Sequence, residues 1–175
     1  MLVKSIQKVY DRISDKFKQS TLLIIAGRHN DLVTNNLPFD YKEFGFVNME
    51  TLAELYALAD IYLSPSIVDP GPIMVNQALM CGTPVVSYSI GTALDVVKDR
   101  GTGYCAITGD YEDFARGILN YLLMSENELQ AVSSWCREFS LEISSTCRKS
   151  HNVMYLYDLC VNSSKYPLRN LHNPL

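Results

Sequence analysis

The chain has 175 residues, 47% of them hydrophobic and 19% charged, with a net charge of −4. That length suits a single domain with a buried core, and the acidic balance argues against nucleic acid or an anionic membrane as the main partner. No apolar run approaches the roughly 20 residues of a membrane span.

The five cysteines, Cys81, Cys105, Cys136, Cys147 and Cys160, are odd in number and contain no Cys-x-x-Cys pair. A disulfide framework or a zinc site is therefore not expected. Met1-Leu2-Val3-Lys4-Ser5 lacks the charged-then-apolar layout of a secretion signal. The thiols are read as reduced and the protein as cytoplasmic, and the sequon at Asn162-Ser163-Ser164 as a chance match.

In chain order, Leu2, Val3, Ile6, Val9, Tyr10, Ile13 and Phe17 recur at three and four and predict one amphipathic helix. Thr21 to Ala26 is a continuous apolar run ending at Gly27, the pattern of a parallel strand buried on both faces. A polar loop is expected from Arg28 to about Lys42, then a short strand at Phe44 to Val47. A helix marked by Leu52, Leu55, Tyr56 and Ala59 follows, with Asn48 as N-cap. Asp60 to Ser64 reads as a strand.

The next segment, Pro65 to Val86, is the most informative in the chain. It predicts a loop, a helix from about Pro72 to Cys81, a turn at Gly82 and a strand from Pro84 to Ser87. Asp69 lies in the loop and Gln77 eight residues on, in the helix. In α/β sheets such strand ends and helix starts are where phosphorylated ligands bind. Beyond it come a short helix at Ala93 to Lys98 and a last strand at Gly103 to Ile107. Helices are expected at Tyr111 to Leu123, Glu126 to Phe139 and Leu141 to Val161. Residues 162–175 read as a polar tail. Strands alternating with helices imply an α/β fold, a Rossmann-like three-layer parallel sheet flanked by helices, filling residues 1–161 as one domain.

Arg28 follows the end of an apolar strand, where ligand-facing loops begin, and is read either as a base or diphosphate contact or as a solvated cation. His29, His151 and His172 have no Cys or carboxylate partners at metal-ligand spacing and are read as surface or satisfied residues. The stripe Met154, Leu156, Tyr157 and Cys160 is read as helix packing.

Several pieces in this order resemble one family. They are Gly45-Phe46-Val47, Leu52-Ala53-Glu54-Leu55-Tyr56, Ala59-Asp60-Ile61-Tyr62-Leu63-Ser64-Pro65-Ser66 and Ala78-Leu79-Met80-Cys81-Gly82-Thr83-Pro84-Val85-Val86. Gly91-Thr92-Ala93-Leu94-Asp95-Val96-Val97 and Gly101-Thr102-Gly103-Tyr104 complete the set. From about residue 1 to 160 the chain resembles the C-terminal, donor-binding domain of retaining GT-B glycosyltransferases of the group 1 type, one half of a GT-B fold.

The resemblance implies transfer of a sugar from a nucleotide diphosphate sugar to an acceptor with retention, needing no cofactor and no bound metal. It assigns no catalytic residue here. It places donor contacts at Asp69, Gly71, Ile73, Met74 and Gln77, with Arg28, Val47 and Asp95 around them; Phe46 and Val47 match the place that meets the nucleotide base, core packing being the alternative for Val47 and the reading taken for Phe46. Where the family has two glutamates, this chain has Asp69 and Gln77; the alternatives are a turn residue and a partly buried polar helix residue. Pro70 and Pro72 offer no N–H to a ligand. Asp95 alternatively favours a helix dipole.

The family's domain opens with a strand and a loop carrying Arg and Lys, and the present sequence starts in the helix after them. Lys4 and Lys8 do not match those positions. The expectation is a fragment of a longer enzyme, inert alone, whose N-terminal acceptor domain and any peripheral membrane contact lie in the missing half. The other readings are a degenerate stand-alone product acting as a non-catalytic binding or partner subunit, and an epimerase-like domain.

Overall fold

The computed structural model describes residues 1–144 except 70, 72, 92, 99 and 100. Residues 1–140 form one compact unit and 141–175 a second. Pro70, Pro72 and Thr92 lie outside the described residues. So do the helix expected beyond residue 144, the 162–175 tail with its sequon, the stripe from Met154 to Cys160, Cys147, His151 and His172.

The elements run α1 (Leu2–Arg12), α2 (Asp15–Ser20), β1 (Leu22–Ala26), α3 (Asp31–Thr34), β2 (Asp40–Gly45), α4 (Met49–Leu58) and β3 (Tyr62–Ser64). They continue through α5 (Ile73–Met80), β4 (Val85–Tyr88), α6 (Ala93–Val96), β5 (Gly103–Ala106), α7 (Tyr111–Leu122) and α8 (Glu126–Ser144). Asn48 caps α4 as expected: its side chain accepts the Thr51 N–H at 2.8 Å. Gly82 ends α5 at φ +88, and a Cβ there would meet Ser133 Oγ at 2.7 Å. Only glycine suits both demands.

Several elements differ from the sequence reading. The polar loop expected from Arg28 holds the short helix α3. The first helix is two helices, because Ile13 turns extended (φ −101°, ψ 158°) to reach the core and Ser14 starts a new helix. The strand expected at Phe44 to Val47 is β2, and it begins at Asp40. All six of its residues are exposed, so it carries no burial signal. At the other end, α8 runs unbroken through residue 140, where a boundary between two helices was expected. The Ser140 hydroxyl is absorbed inside the helix, donating to the Cys136 carbonyl at 2.7 Å.

Every strand pair is parallel, but the strands form two sheets, β2–β1 and β3–β4–β5. Among the described strands β1 pairs only with β2 and β3 only with β4. β1, unpaired on its other edge among the described strands, is not the doubly buried strand its Leu-Leu-Ile-Ile-Ala run predicts: Leu22 is 55% exposed and the next three residues are only partly buried. By contrast β4, paired on both edges, is buried throughout.

One core joins the halves. Ile6, Val9 and Ile13 meet Phe114, Ala115, Ile118 and Tyr121 of α7 over Val86, Tyr88 and Ala106, and Leu23 of β1 and Leu63 of β3 pack against the same cluster. Burying each large side chain of this set stabilises the fold by roughly 1.5–3 kcal/mol. An ion triad on the rim, Lys8 and Arg12 of α1 around Glu112 of α7, ties the same two helices.

Candidate functional site

Parallel strands deliver their carboxyl ends, and the loops that follow, to one edge of each sheet. Beyond β3 the chain passes through Asp69 and Gly71 into α5. Asp69 is half-buried, and its Oδ1 accepts the Gly71 N–H at 3.0 Å, an Asx turn. The Gly71 amide, expected as a donor to a ligand, is thus already engaged by Asp69. Ile73 and Met74 begin α5 and are exposed. First-turn amides have no intrahelical acceptor, so those N–H groups are directed out of the helix start, where the dipole favours an anion. Gln77 lies one turn further on and is half-buried.

Beneath this loop two tyrosines pack edge to face, Tyr56 of α4 and Tyr62 of β3, with ring centroids 5.3 Å apart. Burial, then the Tyr56 neighbour and the Asp69 charge, hold the Tyr62 phenol well above its usual range. Thr83, just past α5, donates its hydroxyl to the Tyr56 carbonyl and fixes α4 to the end of α5.

On the other sheet, β1 ends at Ala26 and its chain continues through Gly27 and Arg28. The Gly27 N–H donates to the Gly45 carbonyl at 2.7 Å, binding the ends of β1 and β2 together. Arg28 is exposed and forms no ion pair or hydrogen bond with another described residue. Val47 is half-buried two residues beyond β2. Phe46, expected in the core, is 84% exposed, since β2 ends at Gly45 and leaves it in the loop. Asp95 lies exposed on α6, a helix of four residues after β4. No hydrogen bond or ion pair among the described residues joins the Arg28–Val47 group to the Asp69–Gln77 group.

His29, read from the sequence as a surface or satisfied residue, is exposed and has two carboxylate partners. Nδ1 lies 2.8 Å from both Glu43 oxygens and Nε2 lies 2.8 Å from Asp31 Oδ1. The Asp31 and Glu43 interactions raise its pKa above the ordinary histidine value. Glu43 is 14 residues away and comes near only because β2 pairs with β1, so local spacing alone does not reveal it. Among the described residues no cluster of His, Cys, Asp and Glu could hold a metal ion. Cys81, Cys105 and Cys136 form no disulfide with one another, and burial pushes Cys136 up to about 12.

A sequence profile of the family described as glycosyl transferases group 1 matches residues 3–134. The chain belongs to the group 1 glycosyl transferases. Among curated members it is 35% identical over 74 residues to an uncharacterized glycosyltransferase of Methanocaldococcus jannaschii, covering 42% of this chain and 19% of that protein. It is 28% identical over 120 residues to the alpha-galactosylglucosyldiacylglycerol synthase of Streptococcus pneumoniae, covering 63% of this chain and 31% of that protein. The chain therefore spans less than a third of the length of either relative.

Solved glycosyltransferases share the fold. TarM of S. aureus, in complex with fondaparinux, alpha-GlcNAc-glycerol and UDP, superposes with a TM-score of 0.69 at 20% identity, over 90% of this chain and 32% of that one. HepE of Anabaena in complex with UDP-glucose gives 0.64 at 15% identity, over 86% and 44%. This group 1 chain thus has the α/β fold of GT-B proteins, parallel strands flanked by helices.

Proposed function

We propose that this chain is the donor-binding half of a retaining glycosyltransferase, taking a nucleotide diphosphate sugar and acting with an N-terminal acceptor domain. The observation that carries the reading is the strand–loop–helix from β3 to α5. It combines a helix start whose first-turn amides are those of Ile73 and Met74, a half-buried Gln77 able to bond a ribose hydroxyl, and the Asp69 carboxylate in the loop before them. Family membership supports sugar transfer. The UDP and UDP-glucose in the TarM and HepE complexes support a nucleotide-sugar donor.

In this reading the α5 dipole and Arg28 stabilise charge on the departing diphosphate, an electrostatic contribution that needs no proton transfer from this half. Closure of a second domain would complete the cleft. The 175-residue chain alone is then inert in sugar transfer.

Titrating the chain with a panel of nucleoside diphosphates and their sugars tests the reading. Saturable binding below millimolar ligand is expected, and its absence across the panel would sink the donor assignment. Measurable sugar transfer by the chain alone would overturn its inertness.

A second reading, a non-catalytic binding or partner subunit, is favoured by one observation. Asp69 spends one of its oxygens on the Gly71 turn, while position 77 carries no charge. Transfer by the chain joined to an acceptor half separates the two readings.

A further inference from the structure

His29 occupies an unusual electrostatic position at the carboxyl edge of the β1–β2 sheet. The connection from β1 to α3 is short, Gly27 to Asn30. Its start is fixed by the Gly27 N–H bond to Gly45, and its end by Asn30, whose side chain accepts the Leu32 N–H at 3.1 Å. Between those anchors stand Arg28 and His29. The ring of His29 reaches Glu43 on β2 and Asp31 on α3, and His29 and Glu43 line a small cleft with Ile25, Gly27 and Gly45.

A neutral imidazole carries one N–H and one lone pair. Two carboxylates at 2.8 Å on opposite nitrogens require two N–H donors, so the bridge is complete only as imidazolium. Both carboxylates thus meet the side chain that follows Arg28 in the chain. Engaged by His29, neither pairs with the Arg28 guanidinium.

We propose that His29 is a positioning residue that ties the Arg28 loop to β2 and keeps Arg28 open to an anionic ligand by occupying Glu43 and Asp31. The proposal rests on the donor-site reading for the identity of that anion, a diphosphate. The geometry of the tie does not depend on it.

The charges facing the ring are few. Asp31 comes from α3 and Glu43 from β2, while the end of β1 contributes only Ile25 and Gly27. Arg28 is its neighbour in the chain, and Lys42 holds its Nζ over the Phe44 ring, 5.0 Å from the centroid. The folded-state pKa of His29 is raised, so the tie is fully formed below the ordinary histidine value and is lost as pH rises through the folded one. Above that point the loop carries one more net negative charge, and the two carboxylates become available to Arg28.

The test has two arms on the 175-residue chain. In the first, NMR follows the His29 ring and the exchange of the Arg28 and His29 amides across pH. The expected result is a doubly protonated ring with a midpoint above about 6.5, a lower midpoint in Glu43→Gln, and faster amide exchange both above the midpoint and in His29→Gln. A midpoint at or below that value, or exchange unchanged in His29→Gln, overturns the proposal.

In the second arm UDP is titrated from about pH 6 to about pH 8.5, and its own phosphate ionisation is removed by comparison with His29→Gln. Wild-type affinity is expected to fall more than the variant's by a factor of about two to five, the size of an exposed charge effect. Equal slopes overturn the role toward Arg28. If UDP binds at no pH, the donor reading fails while the first arm still decides the tie.

Discussion

Gly103 on β5 stands opposite Val85 on β4 so closely that a Cβ on Gly103 would lie 2.0 Å from the Val85 carbonyl oxygen and 2.8 Å from Val97 Cγ1. The Gly103 carbonyl in turn accepts the buried Tyr121 hydroxyl at 2.7 Å, so α7 is pinned to β5 at the same point. Neither strand can retreat without breaking that bond and the parallel ladder. Gly103→Ala is expected to lower unfolding stability by about 1–3 kcal/mol, the usual cost of overpacking. Gly71→Ala, where nothing lies within 4 Å, is expected to stay within about 0.5 kcal/mol. Urea unfolding of the two variants beside wild type checks the contrast. Equal midpoints for both would refute the close approach.

Glu112 gives the α1–α7 contact a pH dependence. Lys8 lies 3.0 Å from one of its oxygens and Arg12 bonds the other. The hydrogen bond from Lys8 first, and then that from Arg12, hold the Glu112 carboxyl below its usual range. A depressed folded-state pKa stabilises above the unfolded value and is lost as pH falls through the folded one. Stability of the wild type should therefore fall below about pH 4.5 more steeply than that of Glu112→Gln. Thermal melts at stepped acidic pH read the difference. Parallel curves for the two proteins would show that the triad contributes nothing.

The cap of α7 is a separate, smaller test. Asp110 accepts the N–H groups of both Glu112 and Asp113. Asp110→Ala leaves two amides without that partner at the start of the helix that covers the core, and should cost about 1 kcal/mol. Asp110→Asn keeps the acceptor and should recover most of it. A chemical denaturation series on both variants decides; no loss in Asp110→Ala would mean water replaces the cap.

The sequence made the β3–α5–β4 unit and the helices α4 and α7 legible, because their apolar periods, Asn48, Gly82 and the strand-length runs all agree. It misled wherever burial and periodicity part. The β2 strand is wholly exposed, so Asp40 to Glu43 looks like loop, and Phe46 looks like core although the strand stops before it. Leu22 to Ala26 carries the composition of a doubly buried strand whose other edge has no described partner. The His29–Glu43 bridge depends on pairing between strands, which no local spacing announces. At residue 140, where two helices were expected to meet, Ser140 is satisfied within α8.

Gln77 and Asp69 make distinguishable contributions to the proposed donor site. A neutral hydrogen bond is worth about 0.5–1.5 kcal/mol, so Gln77→Ala should weaken UDP binding by up to about tenfold. A bond to a charged acceptor is roughly twice as strong, so Gln77→Glu should tighten it if the partner is a ribose hydroxyl. Asp69→Asn retains an acceptor for the Gly71 N–H, so the turn and the melting temperature should be unchanged. If the carboxylate meets the donor sugar, any loss should then fall on the nucleotide sugar and spare the nucleotide. Calorimetric titration of the three variants with UDP and UDP-glucose at one salt concentration measures all of these. If Gln77→Glu binds no better and Gln77→Ala no worse, the ribose contact is wrong. If Asp69→Asn loses UDP and UDP-glucose equally, Asp69 acts through the loop and touches no sugar.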